Sequence, residues 1–146
     1  MRLQKNTALA LYSVLEFAGD PERHISAAEI AAKYGVSPHH LAKVLAELAR
    51  AGLVESARGV GGGYRFTGNA RRLTLLDVIR MFEDIGANPA EPAATPVERG
   101  LEAVLSEIDE NAKATFGSIT IATMLALIAR QEAAAAKAAT GRRKVA

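Results

Sequence analysis

The sequence predicts a mainly α fold with a small β-wing, an α+β class, and three observations carry that prediction. Between residues 26 and 52 two short helices flank a tight turn. Between residues 53 and 67 two short strands enclose a run in which four of five residues are glycine. From residue 95 onward apolar side chains recur at helical spacing and no strand signal interrupts them. Two helices, a turn and a stranded loop in that order make a winged helix-turn-helix, and a long helix follows it.

Residues 7–18 read as a helix with Ala8, Leu11, Tyr12 and Leu15 on one stripe, packing beneath the helix-turn-helix. Arg2, Gln4 and Lys5 precede it. Residues 19–22 form a turn, and His24 beyond them suits a surface loop.

Ser26, followed three residues later by Glu29, makes a capping box, so a helix starts at Ala27. Its apolar face is expected to hold Ala28, Ile30, Ala31 and Tyr34. Gly35 ends it in the left-handed conformation. Val36 fills the turn, and Ser37 caps the next helix. Pro38 suits its first position, where the N–H that proline lacks would find no partner. Leu41, Val44, Leu45 and Leu48 then fall on one stripe, which identifies the buried side of the second helix. Gly52 closes it. His39, His40, Ala42, Lys43, Ala46 and Glu47 remain on the other faces, and those near the N-terminus stand where a recognition helix meets base edges.

Residues 53–57 and 64–67 read as two strands. The loop between them, Arg58-Gly59-Val60-Gly61-Gly62-Gly63, lets the backbone turn sharply and lie close to a surface, with Arg58 and Arg65 flanking it. Such a loop suits a phosphate backbone or a minor groove. A mobile hairpin tip is the plainer alternative. A P-loop does not fit, because no Gly-Lys-Ser/Thr ending and no helix follow Gly63.

Residues 68–72 are a polar connector ending in Arg71 and Arg72. Thr74 caps a helix whose stripe is Leu75, Val78, Ile79, Phe82 and Ile85. Residues 86–96 hold three of the chain's five prolines and nothing apolar larger than alanine, so they form a loop. Thr95, Pro96 and Glu98 make a cap, a proline start and a box for a long helix. Its apolar stripe is Leu101, Val104, Leu105, Ile108, Ala112 and Phe116, opposed by Glu98, Glu102, Glu107, Asp109 and Glu110, and Gly117 ends it. A projecting helix has no core of its own to cover such a stripe, so pairing with the same helix of a second subunit is the economical solution. Thr120 caps a last helix carrying Ile121, Met124, Leu125 and Ile128. The alanine-rich run 133–139 extends it, and the basic tail 140–146 is expected to be disordered. The division is therefore 1–85 for a DNA-binding domain, 86–96 for a loop, 97–139 for dimerisation helices and 140–146 for the tail.

Charge supports the same division. Residues 1–72 hold ten basic against six acidic side chains, and residues 73–139 hold five against ten. Arg142, Arg143 and Lys144 supply the rest of a net charge of +2. An anion-binding N-terminal half follows. There are no cysteines, so thiolate metal sites and disulfides are excluded by composition. No stretch reaches the ~20 apolar residues of a membrane span, and no signal-peptide core opens the chain, so the expectation is a cytoplasmic protein with no membrane partner. Catalysis finds no support. The only neutral-range bases are His24, His39 and His40, two of them adjacent and so about 100° apart on a helix. No nucleophile has a base at recognisable spacing, and no cofactor is expected.

The segments 36–45 and 48–54, the wing Arg58-Gly59-Val60-Gly61-Gly62-Gly63-Tyr64, the opening Met1-Arg2-Leu3 and the run 73–79 together resemble the Rrf2 family of bacterial transcription regulators over roughly residues 1–125. The resemblance implies a homodimeric, cytoplasmic regulator, a repressor by expectation, bound to double-stranded DNA at a palindromic operator. The DNA-binding set it implies is Arg2, Lys5, Ser26, Ser37, Pro38, His39, His40, Lys43, Arg58, Gly59, Val60, Gly61 and Arg65. Dimerisation falls to the stripe from Leu101 to Phe116. Cluster-binding members carry three cysteines in the loop where this chain has Asn88, Glu91 and Thr95, and some carry an N-terminal acidic ligand where this chain has Ala8. A cysteine-ligated iron–sulfur sensor is therefore not expected. An iron–sulfur member also sets operator specificity with an acidic residue where Ala42 stands, so its operator does not transfer. Regulation is left to a small effector, a protein partner or no signal. The rival reading is a winged-helix interaction module, acting through a protein partner, whose DNA binding has been lost.

Overall fold

The computed structural model, which describes residues 1–86 and 91–145, surrounds a central helix α1 (Lys5–Gly19) with the rest of the chain. Among the described residues the order continues as α2 (Ala27–Tyr34), α3 (Pro38–Arg50), β1 (Val54–Ala57), β2 (Gly63–Phe66), α4 (Leu75–Ile79), α5 (Pro96–Ser118) and α6 (Ile121–Val145). Helix α1 meets α3, α4, α6 and β2. Leu9, Ala10, Leu11, Val14 and Phe17 are consequently all buried, with Thr7 and Ser13 beside them. Of the expected stripe only Leu11 is buried; Ala8 and Leu15 are half-buried and Tyr12 is exposed. A stripe presumes one covering surface, and α1 has several. The small polar side chains can therefore turn inward, where the Ser13 hydroxyl donates to the Leu9 carbonyl at 2.7 Å.

The helix-turn-helix forms at the expected positions. Ser26 Oγ accepts the Glu29 N–H at 3.1 Å, but the box is half made, because the Glu29 carboxylate pairs with Arg23 at 3.0 Å instead. On α2, Ala28 is exposed and Ala27 packs on the core in its place. Gly35 is left-handed at φ 64°, and Ser37 Oγ accepts the His40 N–H at 3.1 Å to start α3. Leu41, Val44, Leu45 and Leu48 are all buried. Strands β1 and β2 pair antiparallel, with Val54 opposite Phe66 and Ala57 opposite Gly63.

Helix α4 begins with a complete Thr74–Asp77 capping box and is shorter than expected. Leu75, Val78 and Ile79 are buried, whereas Phe82 and Ile85 lie beyond the helix and are half-buried. The chain turns there toward the start of α1, where Glu83 Oε2 accepts the Gln4 N–H at 3.1 Å. Of the expected loop, Asn88 lies outside the described residues, Glu91 to Thr95 are irregular, and Pro96 is already the first residue of α5.

The start of α5 has both halves of its box, Glu98 N–H to Thr95 Oγ1 at 3.2 Å and Thr95 N–H to Glu98 Oε2 at 2.8 Å. The Thr95 and Ala94 hydrogen bonds hold the Glu98 carboxyl below the usual carboxylate range. Gly117 does not end α5, which runs through Ser118. Thr120 Oγ1 then accepts the Thr123 N–H at 3.1 Å. Three backbone hydrogen bonds join this corner to the connector after the wing: Leu75 N–H to Ile119 at 2.9 Å, Ile121 N–H to Leu73 at 2.8 Å and Ala122 N–H to Ala70 at 2.8 Å. Ile121 is fully buried, and Met124 and Leu125 pack on the core.

The basic end corrects the expectation of disorder, since α6 is helical to Val145; Ala146 lies outside the described residues. High alanine propensity sustains the helix, and Arg142, Arg143 and Lys144 stand in its last turn at the negative end of the helix dipole.

Candidate nucleic-acid interface

The buried stripe of α3 seats that helix and decides what it shows to solvent. Ser37, Pro38, His39, Ala42, Lys43 and Ala46 are exposed on its first three turns. His40 departs from the expected set. The adjacent histidines part as helical geometry requires, His39 outward and His40 half-buried with its Nε2 covered and without a hydrogen-bond partner. Lys43 makes no salt bridge among the described residues. The outward face of α3 therefore shows the methyls of Ala42 and Ala46, one imidazole and one ammonium.

The base of the wing is fixed by a close backbone contact. Gly63 has φ 140°, and a Cβ there would lie 2.7 Å from the Ile25 carbonyl oxygen. That close approach lets Ile25 and Tyr64 exchange backbone hydrogen bonds at 2.8 Å in both directions. This third short pairing ties the segment before α2 to the wing and sets Ser26 at its base; no local signal in the sequence announces it. Ser26 Oγ is already occupied as a helix cap. At the other end of the loop Arg58, Gly59, Val60 and Gly61 are exposed, Val60 completely. Arg65 differs from Arg58. Its guanidinium grips Glu55 across the sheet, Nε to Oε1 at 2.6 Å, so its charge is neutralised within the wing.

Helix α2 is locked to α1 by a second polar device that sequence reasoning missed. Tyr34 stacks on Tyr12 with ring centroids 4.8 Å apart, and its hydroxyl donates to Glu16, which also pairs with Lys33. Burial and then the Glu16 carboxylate push the Tyr34 phenol above its usual range. Burial acts to raise Glu16, but the Lys33 and Tyr34 hydrogen bonds outweigh it and hold the carboxyl below its usual 4.5. The partners are seventeen and eighteen residues distant and on different helices, beyond any spacing rule. Arg2 and Lys5 are exposed at the N-terminal end of α1, and Asn6 beside them lines a pocket shared with Lys43 of α3. The N-terminal end of α1 thus lies next to α3.

On α5 the structure divides the expected stripe. Leu101, Val104, Leu105 and Ile108 are 51–60% exposed, whereas Ala112 and Phe116 are half-buried, and Phe116 packs on the protein's own core. Four large apolar side chains on one helical face are left uncovered.

No helix among the described residues is long and apolar enough to cross a membrane. Residues 3–127 match the model of the Rrf2 family, described as an iron-dependent transcriptional regulator. BadM of Rhodopseudomonas palustris, which bears the name of an HTH-type transcriptional regulator, is 53% identical over 130 residues, 88% of this chain and 83% of that protein. CymR, the global cysteine regulator of B. subtilis, superposes with a TM-score of 0.73 at 26% identity, over 87% of this chain and 98% of that one. IscR of T. potens superposes with a TM-score of 0.65 at 26% identity, over 86% of each chain. The residues present do not fit the iron of the family description. The chain has no cysteine, and no three histidine, aspartate or glutamate side chains converge among the described residues.

Proposed function

The chain belongs to the Rrf2 family of transcriptional regulators, DNA-binding proteins and not enzymes, and from that membership we propose that it works as a homodimeric repressor on a palindromic operator. The observation that carries the reading is the pairing of an outward α3 surface, Ser37, His39 and Lys43, with an exposed wing tip of Arg58 and Val60. Lys43 and Arg58 supply charge for phosphates or guanine edges, His39 a hydrogen bond, and Ala42 a methyl contact suited to thymine. Arg2 and Lys5 add backbone contacts, and Val60 suits the minor groove. Arg65 serves the wing's shape and not its charge.

The uncovered α5 face supports the dimer, because Leu101, Val104, Leu105 and Ile108 gain a covering surface from the same helix of a second copy. Pairing there sets two recognition helices about one DNA turn apart, ~34 Å, in successive major grooves.

The test is a titration of the purified protein against labelled DNA from upstream of its own gene, with an unrelated fragment of equal length, at two salt concentrations. Selective binding to the upstream fragment that weakens steeply with salt is the expected result. Equal, weak and salt-insensitive binding to both fragments overturns the reading.

A further inference from the structure

Between the first turns of α3, the start of α1 and the turn after α4 lies a pocket of about 300 Å³. That volume is at the lower end of the range that holds small ligands. Val44, Met81 and Phe82 form its apolar wall, and Asn6, His40 and Lys43 its polar side. The Gln4–Glu83 hydrogen bond ties together the two segments that face α3 across it, and takes up one oxygen of the Glu83 carboxylate. Glu47 also lines the pocket, and its carboxylate is paired with Arg50 at 2.6 Å, whereas Lys43 makes no salt bridge among the described residues. His40 Nε2, covered and without a partner, bears a desolvation cost that a hydrogen-bonding ligand would relieve.

We propose that this pocket binds a small organic carboxylate with a compact apolar body. A carboxylate is acceptor-only, which matches three potential donors and the uncompensated ammonium of Lys43, whereas a cation would meet that ammonium directly. The body lies against Val44, Met81 and Phe82. Resting on the reading of α3 as the recognition helix, the proposal makes the ligand an inducer: a carboxylate drawing Lys43 into the pocket removes it from DNA. The antagonism is reciprocal, since DNA holding Lys43 weakens the ligand equally.

Hexanoate is the probe, with hexylamine as a control of the same body and opposite charge, at matched ionic strength and pH 7.5. The chain's three histidines allow the site to be watched directly by NMR on the DNA-free protein. Hexanoate should shift the His40 ring signals saturably and leave His24 and His39 unmoved, while hexylamine does nothing. Saturating hexanoate should lower affinity for the upstream fragment about tenfold, a usual size for coupled sites. Met81→Glu, which sets a fixed carboxylate in the wall of the pocket that Lys43 lines, should abolish the His40 shift by hexanoate and lower ligand-free DNA affinity as saturating hexanoate does. No saturable His40 shift with the wild-type protein, or an equal shift with hexylamine, overturns the site. A His40 shift with unaltered DNA affinity overturns its coupling to DNA. A His40 shift in a protein that binds no DNA at all supports the pocket and removes the DNA reading alone.

Discussion

Gly63 shows how much one missing Cβ decides. Its backbone conformation and its 2.7 Å approach to the Ile25 carbonyl both exclude a side chain. Gly63→Ala is expected to lose about 2 kcal/mol, as for a residue forced into a sparsely allowed conformation, measured by denaturant unfolding. An unchanged midpoint would show that the Ile25–Tyr64 pairing is dispensable. Glu16 makes the corresponding argument for charge. Its folded carboxyl titrates below 4.5, so the ionised form favours the folded state. Its contribution is complete above the ordinary carboxylate range and is lost as pH falls through the lowered folded value. Glu16→Gln should therefore flatten the loss of stability below about pH 4.5 relative to wild type. Parallel stability curves for the two proteins would contradict this.

At the scale of elements, caps were legible and faces only partly so. Ser26, Ser37, Thr74 and Thr95 each cap a helix where local pattern places them, because a cap is decided within four residues. The stripe of α3 was equally legible, since its buried side chains Leu41, Val44, Leu45 and Leu48 keep to one face although α1, α2 and β1 all meet the helix. Tyr12 and Ala28 were misplaced because the direction of burial depends on neighbours far away in sequence. His40 and Arg65 belong to the same class: one has its Nε2 buried without a partner, the other is neutralised by Glu55, and neither environment is announced locally. The length of α4 was overestimated because apolar spacing continues after the backbone has turned. For α5 the uncovered face yields a direct test of the proposed dimer. Leu105→Glu places a charge in the middle of that face and should shift sedimentation from dimer to monomer at micromolar concentration, with thermal stability of the DNA-binding half retained. A variant that stays dimeric would move the interface elsewhere.

At the scale of the whole molecule, basic charge and acidic charge lie on different parts of the chain, and the two functions proposed for it divide along the same line. In the proposed dimer the basic N-terminal half would repel its own copy electrostatically, and association would fall to the apolar face of α5. The basic last turn of α6 is the exception. It is a helical extension of the acidic half, exposed throughout, and its charge complements the helix dipole.

The corner between α5 and α6 is bonded to residues 70–75 through Ile119, Ile121 and Ala122, directly after the strand that ends the wing. The arm is thereby tied to the connector that follows the wing by three residues. In a dimer joined through α5, the span between the two reading heads would behave as a ruler with little play. Such a protein would measure the distance between half-sites as strictly as it reads their bases, and a signal that bends the arm would silence both heads in a single stroke.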